Sequence, residues 1–459
     1  MGSTSRILDI ARSALAAQNA AITTTSHNIA NVNTPGYSRQ RVDLAAAKPM
    51  SNTFGFLGQG VDIQSIHRIR DSFVDSQLRG EYQSLGRWEY RENTMAEIEN
   101  IFNEPSDTGL SQILGDFWDS WDELGNDPQS GSAREQVRQM GTHLVNTFQH
   151  LSKRLTDLQD RLNEDLKGKV DEINSKTVLI GELNAQIASA ETRNISANEF
   201  RDQRDRLVDD LSKLVDVTVT EKDNGMVTLS LSGQILVERD VAYQLSTSTG
   251  SNGRSTVDTV VWARNNQPVS IKNGELKGII ELRDDVIQGE LDDLDELANS
   301  MVTEVNAIHS AGYGQDGFSG YNFFSSSSSG ASDIALDNGI LGDIARIAAS
   351  SDGTDGSGDT AHSIAGLRES RVMSGNSVTM DDFYASMMGS LGVQSQEATF
   401  QRENQDIIVS QLETQKSAVS GVSLDEEMTQ LIKYQHAYEA AARLITTVDE
   451  MMQTLIDMV

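Results

Sequence analysis

Apolar positions repeat every seven residues at both ends of the chain, and most of the sequence separates the two repeats. Alternating steps of three and four residues place such positions on one stripe of a helix. The N-terminal stripe comprises Leu8, Ala11, Leu15, Gln18, Ile22, Thr25 and Ile29. The C-terminal stripe comprises Leu424, Met428, Leu431, Gln435, Tyr438, Ala442, Ile445, Asp449, Met452, Ile456 and Val459. Narrow stripes of this kind predict helices that pack lengthwise on other helices.

Two interpretations of these stripes remain open from the pattern alone. Each stripe could belong to an ordinary amphipathic helix docked on a globular core. Alternatively, the two ends pack together along their length. Charge favours the second arrangement, because residues 1–50 hold five basic against two acidic side chains, whereas residues 415–459 hold three against seven. The second stripe also continues to Val459, where a chain end normally frays, so we expect a further partner outside the chain.

Helical patterning continues through the first half of the interior. Residues 31–60 are rich in Gly, Pro and Asn and predict a turn-rich stretch after the first helix. Apolar positions between 151 and 187 predict one long helix. Ser196 followed by Glu199 has capping-box spacing and predicts a new helix, so a helical hairpin is expected around Asn194.

The spacing of the apolar residues then changes from the helical period to an alternation of every second residue, which is typical of strands. Alternating apolar and polar residues between 215 and 231 predict a β-hairpin, and strand-like runs follow as far as 269–271. Helical patterning returns between 276 and 309 and again between 380 and 415. Residues 310–375 are rich in Gly and Ser and predict loops around short elements.

We therefore predict a mainly α, multidomain α+β chain with a small inserted β domain, in which the terminal helices pair as a coiled-coil-like element. The order of the elements makes the domains nested and discontinuous. The predicted divisions are a terminal helical core (1–50 with 416–459), a helical body (51–214 with 276–320 and 362–415), the β domain (215–275) and a Gly/Ser-rich loop region (321–361).

Composition narrows the possible functions. The formal net charge is −31, from 37 basic and 68 acidic residues, and it argues against a nucleic-acid surface because such a surface needs a basic footprint. There are no cysteines, which excludes a disulfide framework and a thiolate metal site. The N-terminus lacks the apolar core of a cleavable signal, and no run of apolar residues is long enough to span a membrane. We expect no membrane insertion, and any export should use a route without a cleaved signal.

Motifs for catalysis, cofactors or metals are weak. The spacing at Gly312, Gly314 and Gly317 matches a dinucleotide fingerprint, but it follows a helical segment rather than a strand. The loop 352–356 lacks the twelfth-position Glu of a calcium loop. His143 and His150 stand about 10 Å apart on a helix, too far to share one metal. We predict no catalytic residue, no cofactor and no metal site.

The segment 13–43 contains the pattern A-N-x-x-T-x-G-Y, at Ala30, Asn31, Thr34, Gly36 and Tyr37. This pattern resembles the N-terminal signature of the bacterial flagellar rod, hook and hook-associated axial proteins. Further stretches are similar to the hook-associated members that form the junction between hook and filament, namely 61–79, 201–217, 297–317 and 420–456.

The resemblance implies a structural role as a junction layer that permits filament assembly. It implies that the paired terminal helices form the innermost tube, the helical body the next shell, and the β domain an outward projection. Assembly contacts are then expected at Leu8, Leu15, Ile22, Ile29, Asn31, Thr34, Gly36, Tyr37, Leu424, Met428, Leu431, Tyr438, Ile445, Met452 and Ile456. A contact role and a purely local capping and turn role both remain open for Asn28, Asn31, Asn33, Thr34 and Tyr37.

The implied partners are other copies of the chain in a tubular layer, the hook protein, the second, filament-side hook-associated protein, an export chaperone and the flagellar type III export apparatus. The chaperone is expected on the C-terminal stripe, at Leu431, Tyr434, Tyr438, Ile445, Met452 and Leu455. The implied location is extracellular, on the flagellum, without cleavage of a signal peptide. Alternatives are a hook or distal-rod protein, an adhesin or hydrolase displayed on a flagellar scaffold, and a general coiled-coil scaffold.

Overall fold

The computed structural model describes residues 2–52, 55–193, 195–222, 224–251 and 254–457. The helices are α1 (Gly2–Ala30), α2 (Ser72–Phe102), α3 (Leu110–Asn126), α4 (Gly131–Glu191), α5 (Asn198–Leu214), α6 (Glu275–Glu281), α7 (Ile287–Ala311), α8 (Asn338–Gly342), α9 (Asp359–Ala365), α10 (Met380–Ser420) and α11 (Leu424–Asp457). A π-helical turn, Leu282–Val286, joins α6 to α7. Within the described ranges, none of the helices is both long and apolar enough to cross a bilayer.

The strands are short and antiparallel. They are β1 (Gln40–Ala46), β2 (Met50–Asn52), β3 (Gly55–Leu57), β4 (Val61–Arg68), β5 (Val217–Glu221), β6 (Val227–Leu231), β7 (Gln234–Glu238), β8 (Val241–Ala242), β9 (Leu245–Ser251) and β10 (Thr256–Trp262). The predicted fold class, mainly α with a small inserted β domain, is confirmed. The pairing of the two ends is also confirmed, because α1 and α11 pack against each other along their length.

The helical body is built around α4, a single helix of 61 residues that packs on α3, α5 and α7. Its core holds a cluster of aromatic rings in which Trp121 meets Phe323 edge-on at 5.0 Å between ring centroids. Phe323 comes from 321–361, which was expected to be a Gly/Ser-rich loop. This segment contains α8, and its Phe324 and Ile340 are fully buried. Apolar side chains spaced irregularly among Gly and Ser have no period, so the sequence does not reveal their burial.

The β domain contains a four-stranded sheet in the order β5-β6-β7-β8 and a separate pair, β9 with β10. Val227, Leu229 and Leu231 alternate inward along β6, as the period of two predicts. The strand expected at 269–271 does not form. Pro268 makes an isolated bridge to Val261, and proline has no N–H with which to continue a ladder.

The stretch 31–60 contains strands as well as turns, which the expectation of a turn-rich stretch omitted. β1 pairs with β4, and β2 pairs with β3 at the far end of the same hairpin. We call the described part of residues 40–68 the N-terminal hairpin. The hairpin lies on α1, where the Val61 backbone N–H donates to Ser13 Oγ at 3.2 Å. The division expected between residues 50 and 51 therefore falls inside one hairpin, because ladder hydrogen bonds join its two sides.

The capping box expected at Ser196 and Glu199 does not form. α5 begins at Asn198, and its N-cap Ala197 makes no side-chain bond to the helix. The Glu199 carboxylate instead accepts from Gln40 Nε2 at 3.2 Å, so a tertiary contact uses the side chain that a local cap would need. Asn194, expected in the turn before this helix, lies outside the described residues.

Candidate assembly site at the paired chain ends

The face of α11 that lies against α1 repeats every seven residues. Glu427 and Val448 are buried, and Tyr434 and Ala441 between them are half-buried. The covered side of α1 is made of small residues, because its buried apolar positions are Ala11, Ala17 and Ala21. Small side chains let two helices approach closely, so the pair is held by close backbone packing over part of its length.

This covered face is offset from the stripe that the sequence predicted on α11. Four predicted positions are exposed in the chain: Leu424 by 48%, Met428 by 47%, Tyr438 by 40% and Ile456 by 71%. The apolar surface of α11 is wider than one stripe, and α1 covers only part of it. The exposed positions therefore remain predictions for contacts outside the chain.

Of the remaining stripe positions, Ala11 and Thr25 are buried, the polar Gln435 and Asp449 are exposed, and most of the others are half-buried. The half-buried ones include Leu8, Leu15, Ile22, Ile29, Leu431, Ile445 and Met452. Val459 and the side chain of Leu455 lie outside what the structure describes. Half-burial in the single chain is consistent with further burial when copies assemble, since these side chains keep apolar area open to solvent.

The A-N-x-x-T-x-G-Y pattern forms a compact turn directly after α1. Thr34 Oγ1 donates to Asn31 Oδ1 at 3.1 Å, and Asn31 Nδ2 donates to the His27 carbonyl at 3.0 Å. Gly36 has φ of +77° after Pro35, the conformation that favours glycine at the third position of a type II turn. Within the chain, Asn31 and Thr34 thus act locally.

Tyr37 connects this turn to a buried asparagine that the prediction did not include. Asn28 is almost fully buried, and its Oδ1 accepts from the Tyr37 hydroxyl at 2.7 Å and from the Gln40 backbone N–H at 3.0 Å. Its Nδ2 donates to the Gln40 carbonyl and to Glu427 Oε2, both at 2.9 Å. Burial, followed by the nearby carboxylates of Asp202, Glu199 and Glu427, raises the pKa of Tyr37 above its ordinary value, so the hydroxyl remains a donor.

Arg39 forms the second link between the two ends. Its Nε donates to Glu427 Oε1 at 2.6 Å, and its second guanidinium nitrogen, Nη1, donates to Glu426 Oε2 at 2.8 Å. The Arg39 backbone N–H also donates to the Ser420 carbonyl at the end of α10. Arg39 therefore joins the start of α11 to the chain that follows α1, in the charge arrangement that the sequence indicated.

Two aspartates of α5 attach the paired ends to the helical body. Asp202 accepts from the Ser38 backbone N–H at 3.0 Å and from Arg68 at 2.7 Å, and the same Arg68 nitrogen donates to Asp205 at 2.9 Å. Burial alone would raise the pKa of Asp205, but Arg70, Arg204 and Arg68 hold it well below its usual range. This buried charge network is satisfied, so removing one member would leave the others unpaired.

The cleft beside this network has a volume of 540 Å³ and is lined by charged and polar side chains of both signs. Among the described residues, no group of His, Asp and Glu is arranged to hold a metal ion. The glycine motif lies in turns after α7, with Gly317 at φ of +81°, and Asp352 closes its own loop by accepting from the Thr354 N–H at 2.9 Å. Arg70, Asp202 and Asp205 line this cleft, and their bonds join the paired ends to the helical body.

Known flagellar protein families match this chain at both ends and in the helical body. The family "Flagellar hook-associated protein FlgK helical domain" matches residues 95–324. The families "Flagella basal body rod protein" and "Flagellar basal body rod FlgEFG protein C-terminal" match residues 8–37 and 415–458. The chain is 33% identical over 504 aligned residues to flagellar hook-associated protein 1 of Bacillus subtilis, covering 100% of this chain and 99% of the relative. The chain belongs to the flagellar hook-associated protein 1 family.

Other members of the family match over a similar extent. The hook-associated protein 1 of Salmonella typhimurium is 28% identical and that of Escherichia coli is 25% identical, each covering 99% of this chain and 100% of the relative. The solved flagellar hook junction protein FlgK from Burkholderia pseudomallei has a TM-score of 0.67 at 16% identity, covering 75% of this chain and 100% of that one. This last likeness concerns the fold.

Family membership confirms the prediction of a structural flagellar protein of the hook–filament junction, and the family is not one of enzymes. Self-assembly into the axial structure of the flagellum likewise follows from the rod and hook families that match the two ends. Asn28, for which a contact role was left open, bonds α11, whereas the sequence did not reveal Arg39 or the aspartates of α5 as joining residues. The sequence did contain a clue to Arg39: the acidic run at 425–427 is complementary in charge to the basic N-terminal segment that includes Arg39.

Proposed function

We propose that copies of this chain form a tubular layer whose inner wall is made by the α1–α11 pairs, with the helical body outside it. The observation that carries this proposal is the apolar surface that α1 leaves uncovered on α11, including Leu424, Met428 and Ile456. Full burial of one large apolar side chain is worth about 1.5–3 kcal/mol, so a few such residues per copy can hold a layer together without covalent links.

The layer would contact the hook protein on one side and the filament-side hook-associated protein on the other. Export through the flagellar type III apparatus without a cleaved signal would place the chain outside the cell. Because Asp202 and Asp205 attach the paired ends to the helical body, we infer that load between hook and filament passes through these two residues.

The test is a strain that lacks this chain, compared with the same strain carrying the wild-type sequence. The expected result is normal hooks, no filaments, and filament subunits shed into the medium. Loss of the hooks themselves would favour a hook or distal-rod protein. Normal filaments with altered attachment to surfaces would favour the adhesin alternative.

Before assembly, an export chaperone would bind α11 at Leu431, Tyr434, Tyr438, Ile445, Met452 and Leu455. The support is the exposure of Tyr438 together with half-burial of Tyr434 and Ile445. Tyr438→Asp should reduce co-purification of the chain with the flagellar export chaperone several-fold. Glu450→Gln, at an exposed position of the same helix outside the stripe, is the control and should leave co-purification unchanged.

A further inference from the structure

An exposed apolar row lies on α10, outside the paired ends. Val393, Phe400 and Ile407 are seven residues apart and are exposed by 66%, 61% and 65%. The other side of α10 packs on α2, through contacts that include Val409 against Leu78 and Tyr82. Single exposed apolar residues are normal on a surface, but a row at helical spacing marks a contact surface. We call Val393, Phe400 and Ile407 the α10 row.

A second exposed apolar surface lies on the N-terminal hairpin. Leu44 is directly opposite Ile63, and Met50 is directly opposite Leu57, so the members of each pair share a face of the hairpin. All four are exposed, between 40% and 44%. The hairpin also presents unpaired strand edges, which soluble proteins normally protect.

The charges around these two surfaces are complementary. Lys48 is the only charged residue between 44 and 61. The flanking Asp43 and Asp62 are each one residue from the Leu44–Ile63 pair and so point to the opposite face of the hairpin. The α10 row is flanked by Glu397, Glu403 and Asp406, all of which are exposed. In a chain of net charge −31, contact between copies is favoured where a surface without carboxylates meets an acidic one.

The two surfaces also agree in length. The α10 row spans about 21 Å, at 1.5 Å per residue of helix. The hairpin spans about 20 Å between its Leu44–Ile63 and Met50–Leu57 pairs, at about 3.3 Å per residue of extended chain. One hairpin can therefore cover the whole row.

We propose that the N-terminal hairpin of one copy docks on the α10 row of a second copy. This inference rests on the proposed function, because it concerns how copies contact each other in the layer. The hairpin lies on α1 and the row lies on the helical body, so the contact would join the inner wall of one copy to the outer shell of the next. It would add to the contacts made by the terminal helices themselves.

Cysteine cross-linking tests this contact cleanly because the chain has no cysteine of its own. Leu57→Cys and Phe400→Cys would be placed in separate copies that carry different tags and are produced together in cells lacking the native chain. After treatment of hook–filament preparations with a short bismaleimide, we expect a dimer that carries both tags. The control pairs Leu57→Cys with Phe318→Cys, because Phe318 is exposed by 65% on the body but lies outside the row.

The expected result is at least several-fold more mixed-tag dimer with Phe400→Cys than with Phe318→Cys. Equal or absent cross-linking in preparations that contain both tagged copies would overturn the docking contact and leave the proposed function standing. Absence of the wild-type chain from such preparations would overturn the proposed function, and the contact with it.

A charge exchange gives an independent readout. Lys48→Glu and Glu403→Lys should each reduce incorporation of the chain into hook–filament preparations several-fold, and the double variant should recover most of it. Both positions are exposed, so the fold of the single chain should be unchanged, and circular dichroism verifies this. Failure of the double variant to recover, with both single variants impaired, would also count against this contact.

Discussion

The Asn28 side chain on α1 donates to the Glu427 carboxylate on α11 across 2.9 Å, although 399 residues separate the two in sequence. Both side chains are almost fully buried, so neither can exchange its partner for water. The bond therefore holds the two chain ends in one register. Glu427 is held from the other side by Arg39, which leaves its carboxylate bonded through both oxygens.

Asn28→Ala should destabilise the paired ends by about 2–4 kcal/mol, because Glu427 Oε2 and the backbone N–H and carbonyl of Gln40 all lose their buried partner. The expected observation is faster amide hydrogen exchange along α1 and the start of α11, with little change in α4. Asn19→Ala, at an exposed position of the same helix, should have almost no effect. Equal protection of α1 in both variants would contradict the role assigned to Asn28.

Arg39 and Glu427 should show strong coupling in a double-mutant cycle. We expect an interaction free energy of about 1–3 kcal/mol from Arg39→Ala, Glu427→Ala and the double variant, measured by denaturant unfolding of the terminal pair. Glu426 binds the same guanidinium but is exposed, so Glu426→Ala should cost less than about 1 kcal/mol. Coupling no larger for Glu427 than for Glu426 would show that burial of the pair is unimportant.

Glu290 should make the helical body less stable as pH rises. Burial, and then the neighbouring Asp293, raise the pKa of Glu290 to about 8, and its Oε2 has no hydrogen-bond partner among the described residues. The pKa of Glu290 is therefore higher in the folded state than in the unfolded state. The stability associated with protonated Glu290 is fully present below about pH 4.5 and is lost as pH rises through about 8.

Glu290→Gln removes that loss while keeping the size of the side chain. The melting temperature of the variant should exceed that of the wild type at pH 8, and the difference should shrink towards pH 5. Glu296→Gln, at an exposed position of α7, is the matched control and should show no such pH dependence. A constant difference between Glu290→Gln and the wild type across this range would contradict the prediction.

His309 should make the helical body less stable as pH falls below neutral. Burial lowers the pKa of its imidazole to about 4, Nδ1 donates to the Tyr321 carbonyl at 2.7 Å, and Nε2 accepts from the Ala348 N–H at 2.9 Å. The folded state therefore holds a neutral ring. The free energy of unfolding should fall by about 3 kcal/mol as pH falls from about 6.5 to about 4, since one pKa unit corresponds to about 1.4 kcal/mol.

His309→Gln should be less stable than the wild type at neutral pH but should lose less stability between pH 6.5 and 4. Denaturant unfolding across this range measures the slope. His143→Gln, at an exposed position of α4, should keep the slope of the wild type. An unchanged slope in His309→Gln would mean that other groups account for the acid sensitivity.

Local pattern was enough to predict the main elements. The seven-residue repeats predicted the terminal helices, and the period of two predicted the strands β5 and β6, because both signals follow from backbone geometry. The opposite charges of the two ends and the A-N-x-x-T-x-G-Y pattern further indicated a paired, flagellar architecture. These properties belong to the sequence by itself.

Only the tertiary structure decided which face of α11 meets α1, since the apolar surface of α11 is wide enough for more than one register. It also decided that Phe323 and Phe324 enter the core from a Gly/Ser-rich segment, and that Glu199 bonds the hairpin instead of capping its own helix. Asn28 became a joining residue for the same reason. Its partners are distant in sequence, and a buried polar group acquires a role only when folding brings its partners within hydrogen-bond distance.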